Sequence, residues 1–115
     1  MVYILNGISV SMFQVFPVTI EINMITPEEV AEIIRKAGKK NVSAVINRKD
    51  IAQDVSNLLD LPITLSTKKV FPEMNDEVII VRHKKIAKSE MSANLITPNK
   101  TDIEFYLMSR YWFRI

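Results

Sequence analysis

Residues Val78, Ile79, Ile80 and Val81 form an unbroken β-branched run, and that run constrains the fold more than any other stretch. Branching at Cβ favours extended backbone, and successive side chains of a strand point to opposite faces, so the run reads as a central strand buried on both sides. The 115 residues give room for one domain around one core, since domains typically hold ~100 to 150 residues. With 48% hydrophobic and 24% charged residues the chain is apolar enough to fill that core, which excludes a disordered chain.

The remaining elements follow from local pattern. Residues 2–5 make a short apolar strand ending at Asn6 and Gly7, and residues 18–22 alternate with the period of two of a strand with one covered face. Thr26, Pro27, Glu28 and Glu29 spell a capping box with proline at the first helical position. Val30, Ile33, Ile34 and Ala37 then share a helix face, and Gly38 ends the helix. Residues 42–46 make another apolar strand. A second helix carries Ile51, Val55, Leu58 and Leu59 on one stripe and stops before Pro62. Residues 67–71 are expected as an edge strand closed by Pro72, residues 84–95 as a less regular segment with a short helix, and residues 103–108 as the last strand. Residues 109–115 form an aromatic C-terminal tail, with Tyr111, Trp112 and Phe113 between Arg110 and Arg114. Strands interleaved with helices predict an α/β or α+β fold over residues 1–115, a single domain with a mixed sheet of about five strands flanked by helices.

Composition removes whole classes of chemistry. The absence of cysteine rules out disulfides, thiolate metal sites and cysteine nucleophiles, and fits a reducing, cytoplasmic setting. A net charge of +2 is too small for a dedicated surface for long nucleic acid, and no apolar run approaches the ~20 residues of a membrane span. Phosphate-binding glycine loops, metal-ligand spacings and nucleophile triads are absent, so neither metal nor cofactor is expected.

Three clusters remain as candidate sites. Asn47 and Arg48 stand where the second helix begins, and two readings of Asn47 hold together there. As an N-cap, its side chain accepts from the amide of Asp50 or a neighbour; as a site residue, it grips a ligand phosphate with Arg48 and the helix amides. Arg82, His83, Lys84 and Lys85 end the central strand, with Arg82 and Lys84 on one face and His83 and Lys85 on the other. They read either as solvated strand-end charges with His83 packed at a sheet margin, or as partners for an anion. Asn6, Ser9 and Ser11 form a polar group after the first strand, of types that also serve ordinary turns.

These segments together resemble the type III anti-CRISPR ring-nuclease family, small dimeric proteins common in viruses of archaea. The resemblance rests on VYILNGISVSMFQVFPVTIEI at the start, on SAVIN with its helix, on the acidic turn before EVIIV, and on DIEFYLM near the end. It covers most of the chain apart from residues 84–99, and the opening block is the most specific. It implies a homodimer that cleaves cyclic tetra-adenylate without metal: a ribose 2′-hydroxyl attacks the adjacent phosphate in line, and a histidine protonates the leaving 5′-oxygen.

The departures from that pattern carry information. Where the family places its catalytic histidine this chain has Asn47, which hydrogen-bonds a phosphate but delivers no proton. Ser66, Thr67 and Lys68 replace an Asn-Arg pair, and Lys85, Ile86 and Ala87 stand near the place of an Arg-Leu-x-Glu-Gly segment. Lys68, Arg82 and Lys85 substitute in charge, although lysine offers a point charge where arginine offers a fork. The expected ligand-binding set is thus Asn6, Ser9, Ser11, Asn47, Arg48, Lys68, Arg82 and Lys85, for a cyclic oligoadenylate or related nucleotide. The alternative is a catalytically inactive dimer that inhibits a host defence protein by direct binding.

Overall fold

The β-branched run lies in the middle of the sheet. In the computed structural model, which describes residues 1–9, 12–13, 16–67, 70–73, 75–84 and 103–112 (110–112 by backbone alone), the elements run in this order: β1 (Val2–Leu5), β2 (Val18–Ile25), α1 (Pro27–Ala37), a 3-10 turn (Lys39–Asn41), β3 (Val42–Ile46), α2 (Lys49–Leu59), β4 (Thr64–Leu65), β5 (Glu77–His83) and β6 (Ile103–Trp112). The six strands form one mixed sheet in the order β2-β6-β5-β1-β3-β4. β1 is parallel to β3 and β5, and β3 to β4, while β6 is antiparallel to both β5 and β2. The architecture is α+β, with the sheet as its organising layer.

Alternation along the strands divides the core in two. Val2, Ile4, Ala44, Ile46, Ile79, Val81, Ile103 and Phe105 point to one face and pack with Val30 and Ile34 of α1 and Ile51, Ala52 and Val55 of α2. Leu5, Val78, Ile80 and Met108 point to the other, where Met12 and Phe13 cover them. All four residues of the 78–81 run are buried, as the sequence requires. Burying each such side chain contributes about 1.5–3 kcal/mol, so the central strands anchor the fold.

Local signals place the helices. The Thr26 hydroxyl accepts from the Glu29 amide at 3.1 Å, and the Thr26 amide donates to Glu29 Oε1 at 3.3 Å, completing the capping box. At the other end the Gly38 amide donates to the Ile34 carbonyl, with a φ of 85° that a side chain rarely tolerates. α2 ends on Asp60 in the left-handed conformation. Leu58 departs from the expected buried stripe: Ile51, Ala52 and Val55 fill it, Leu59 packs beside them, and Leu58 is exposed at the groove between α1 and α2.

Three other expectations are corrected. The edge strand is β4 at Thr64–Leu65, with Thr67, Val70 and Phe71 outside any strand and residues 68–69 outside the described residues, because Leu61 and Ile63 are drawn into the core directly after α2 and bring the chain alongside β3 early. With that strand the mixed sheet holds six strands, in keeping with the about five expected. Residues 109–112 are not a tail but the end of β6, paired with β2 through Tyr111 opposite Thr19 and Trp112 opposite Val18. The covered face expected for residues 18–22 is only half covered: Val18 and Ile20 pack on the core, whereas Ile22 and Met24 are 47% and 62% exposed. Apart from Lys84, the segment 84–95 in which a short helix is expected lies outside the described residues, as does the end of the aromatic tail, 113–115.

Truncating the core should cost far more than removing a cap. In chemical denaturation, Phe105→Ala is expected to lower stability by about 3–5 kcal/mol and Thr26→Ala by about 1 kcal/mol; equal losses would contradict the division of labour between core and cap.

Candidate functional site

A cleft of about 240 Å³ opens at the carboxyl ends of β1 and β3, beside the chain that follows β4. Leu5, Met12, Val45 and Val70 supply its apolar lining, and Asn6, Ser9, Asn47, Ser66 and Thr67 its polar groups. Parallel strands all end on the same side of a sheet, and the crevice beyond those ends is the usual place for ligands in such sheets. The sheet thus gathers residues 41 apart in sequence.

Asn6 and Asn47 bind each other across the strand ends. Asn6 Nδ2 donates to Asn47 Oδ1 at 2.5 Å, and the Asn47 backbone amide donates to Asn6 Oδ1 at 3.2 Å. This reciprocal pair corrects the expected capping role of Asn47. Its oxygen is turned to β1 rather than to the helix, so helical geometry begins one residue later. Arg48 is the N-cap, in extended conformation and with no side-chain cap bond. The backbone enters α2 through the Ala52 amide bonded to the Arg48 carbonyl at 2.9 Å.

The expected basic residues separate. Arg48 does not line the cleft; its guanidinium meets Asp50 Oδ2 at 2.7 Å. Arg82 lies over the Tyr106 ring at 5.0 Å and 3.6 Å from Glu104, away from the cleft. His83 points to the opposite face, as alternation requires, and joins β5 to α2: Nε2 lies 3.0 Å from Asp54 Oδ2 and Nδ1 3.6 Å from Asp50 Oδ2. His83 is therefore occupied by the carboxylates of one helix turn and not by the cleft. Ser11, Lys68 and Lys85 lie outside the described residues.

Sequence reasoning passed over Gly7, Ser66 and Thr67 as site residues. Ser66 is held to the sheet by its amide, which donates to the Ile46 carbonyl at 3.1 Å. The signal that finds it is positional: small polar residues just beyond the second of two parallel strands belong to the same rim as Asn6 and Asn47. Gly7 leaves open space, since a Cβ there meets nothing within 4 Å. A second, more apolar groove of about 510 Å³ runs between α1 and α2, lined by Ala31, Ile34, Leu58 and Leu59, and contains none of the expected residues. Among the described residues no cluster of three His, Cys, Asp or Glu residues stands ready to hold a metal ion, and no helix is long and apolar enough to cross a membrane.

Removal from water pushes the Asp50 carboxyl up, but the Ile51 amide, the Arg48 guanidinium and His83 together outweigh it and hold the group below its ordinary value of 3.8. A carboxyl lowered in the folded state adds stability that is present above pH 3.8 and is lost as pH falls through the lowered value. In a carbon-detected NMR titration Asp50 is expected to titrate below an ordinary aspartate, and Arg48→Ala to raise its midpoint. An unchanged midpoint in the variant would show that the pair is not formed in solution.

The fold and cleft can now be set beside known proteins. The family model described as STIV B116-like matches residues 2–103. Among solved structures the chain is similar to B116 of Sulfolobus turreted icosahedral virus, at 17% identity and a TM-score of 0.67, over 94% of this chain and 97% of that one. At that identity the likeness is one of fold. No curated protein matches the chain. The family match runs from β1 to the first residue of β6, taking in both rims of the cleft, and the chain belongs to the STIV B116-like family of archaeal-virus proteins.

Proposed function

We propose that this protein is a viral counter-defence factor that binds a cyclic oligoadenylate second messenger, such as cyclic tetra-adenylate, and holds it with slow turnover at most. The observation that carries the reading is the convergence of Asn6, Ser9, Asn47, Ser66 and Thr67 over an apolar floor at the carboxyl ends of parallel strands. Small polar groups suit phosphate and ribose, and the floor suits a base. Ser11 and Lys68 stand close to Ser9 and Thr67 in sequence and extend the proposed ligand-binding set, whereas Arg48 and Arg82 are engaged by Asp50 and Glu104 outside the cleft lining.

Slow turnover follows from the lining. Ring opening by a 2′-hydroxyl forms a new bond from that oxygen to phosphorus and breaks the bond to the 5′-oxygen, which must gain a proton as it leaves. None of the described residues lining the cleft is an acid or base of suitable strength, and His83 is engaged by Asp54 on the other face. Lack of a general acid typically costs ~100- to 10,000-fold in rate, leaving alignment of the 2′-hydroxyl as the remaining source of acceleration. Held messenger is silenced messenger, so binding alone serves counter-defence.

The size of the cleft supports a homodimer. Its 240 Å³ falls below the ~300–1,000 Å³ usual for a small-ligand site, so one copy accommodates part of a cyclic tetranucleotide and a two-fold mate the rest. The exposed apolar pair Ile22 and Met24 on edge strand β2 supplies a contact for that mate. The same pair also favours the second reading, an inactive dimer that blocks a host defence protein through an apolar surface.

Three measurements test these readings. Calorimetry with cyclic tetra-adenylate is expected to show micromolar or tighter binding that Gly7→Leu, which fills the cleft, weakens at least 10-fold; no binding at micromolar protein would end the messenger reading. Asn47→His is expected to raise cleavage of the labelled ring. By sedimentation, Ile22→Lys is expected to turn a dimer into a monomer, whereas a monomeric parent protein would remove the dimer from both readings.

A further inference from the structure

The two bonds between Asn6 and Asn47 are ordered in direction, and the order starts from a group that cannot be reversed. A backbone N–H only donates, so the Asn6 atom that receives the Asn47 amide must be its oxygen, Oδ1. With that oxygen fixed, the other end of the Asn6 carboxamide is the NH2 group, which also only donates. The Asn47 side-chain atom facing it must then be the oxygen, as the geometry has it. Asn47 Oδ1 is thereby turned to β1, and its NH2 is left as the hydrogen-bonding group that the side chain offers to the cleft it lines.

We infer that Asn6 is a positioning residue that sets the polarity of the cleft: by fixing the Asn47 carboxamide, it makes Asn47 a donor and so selects ligands presenting acceptor-only atoms, such as the nonbridging oxygens of a phosphodiester. This rests on the reading that a ligand occupies the cleft, and deepens it by naming the ligand atoms. The hydroxyls of Ser9, Ser66 and Thr67 donate or accept equally well, and no acidic or basic side chain lines the described cleft. The asparagine pair is then the element that gives the rim a direction. A carboxamide free to rotate presents its oxygen to a phosphate as readily as its nitrogen; one held in advance avoids that loss.

The polarity is reversible by design. In Asn6→Asp, one carboxylate oxygen still accepts from the Asn47 backbone amide, so the bridge between the strand ends survives. The other oxygen demands a donor, and the Asn47 carboxamide turns over to supply it, presenting its own oxygen to the cleft. Asn6→Ala removes the constraint without adding charge, separating polarity from simple repulsion of an anion.

The test uses the full chain with two readouts. Nitrogen-edited NMR of the free protein is expected to show slow hydrogen exchange for an Asn6 side-chain N–H and fast exchange for both Asn47 N–H groups, with slow exchange passing to Asn47 in Asn6→Asp. Calorimetry with cyclic tetra-adenylate is expected to show a loss of about 10-fold in affinity for Asn6→Ala and a larger loss for Asn6→Asp, at unchanged thermal stability. Equal exchange for the Asn6 and Asn47 side chains in the parent protein, or parental affinity in Asn6→Ala, overturns the inference. Absence of binding by the parent protein with the expected exchange pattern overturns the messenger reading and supports the fixed orientation of Asn47.

Discussion

A strand with no exposed face imposes two obligations on the chain around it. Val78, Ile79, Ile80 and Val81 are buried on both sides of β5, so the molecule needs two separate covers over one sheet. The helices meet one obligation, because Val30 and Ile34 of α1 and Ile51, Ala52 and Val55 of α2 recur at helical spacing on single faces. Among the described residues, Met12, Phe13 and Val70 meet the other with irregular chain. Irregular cover is shorter and less continuous than a helix. The cleft opens at the strand ends on that side, where Leu5 and Val45 remain within reach from outside.

Much of the fold was legible because its signals are local. The capping box at Thr26 needs only residues 26–29, and burial of the 78–81 run needs only its composition. The edge strand was misplaced because its position depends on a distant fact, the docking of Leu61 and Ile63 under the sheet. The partners of Asn47 were hidden for the same reason: a capping asparagine and one bridged to β1 look alike in sequence, and only the register of β1 with β3 distinguishes them. Of the basic run at the end of β5, alternation correctly separated Arg82 from His83. The carboxylates Asp50 and Asp54 that claim His83 come from α2, which no local reading brings there.

The distribution of charge also bears on the proposed binding of an anion by a protein without a strongly basic surface. Among the described residues Arg48 is engaged by Asp50, Arg82 by Glu104, and His83 lies against Asp54, so neither arginine nor the histidine is turned to the cleft. Under the proposed function recognition falls to neutral donors and hydroxyls at the rim, which carry direction but transfer no proton at neutral pH. In the proposed function such a site stabilises a bound phosphodiester and gives little help to its leaving oxygen. Asn47 joins the two proposals, since its carboxamide transfers no proton and is bridged to Asn6 at the rim of the cleft.

The most direct test of where ligand binds is backbone chemical-shift mapping of the isotope-labelled protein titrated with cyclic tetra-adenylate. Binding at the strand ends predicts the largest shifts at Asn6, Gly7, Ser9, Asn47, Ser66 and Thr67, with α1 unmoved. Shifts concentrated instead at Ala31, Ile34, Leu58 and Leu59 would place the ligand in the interhelical groove and contradict the account.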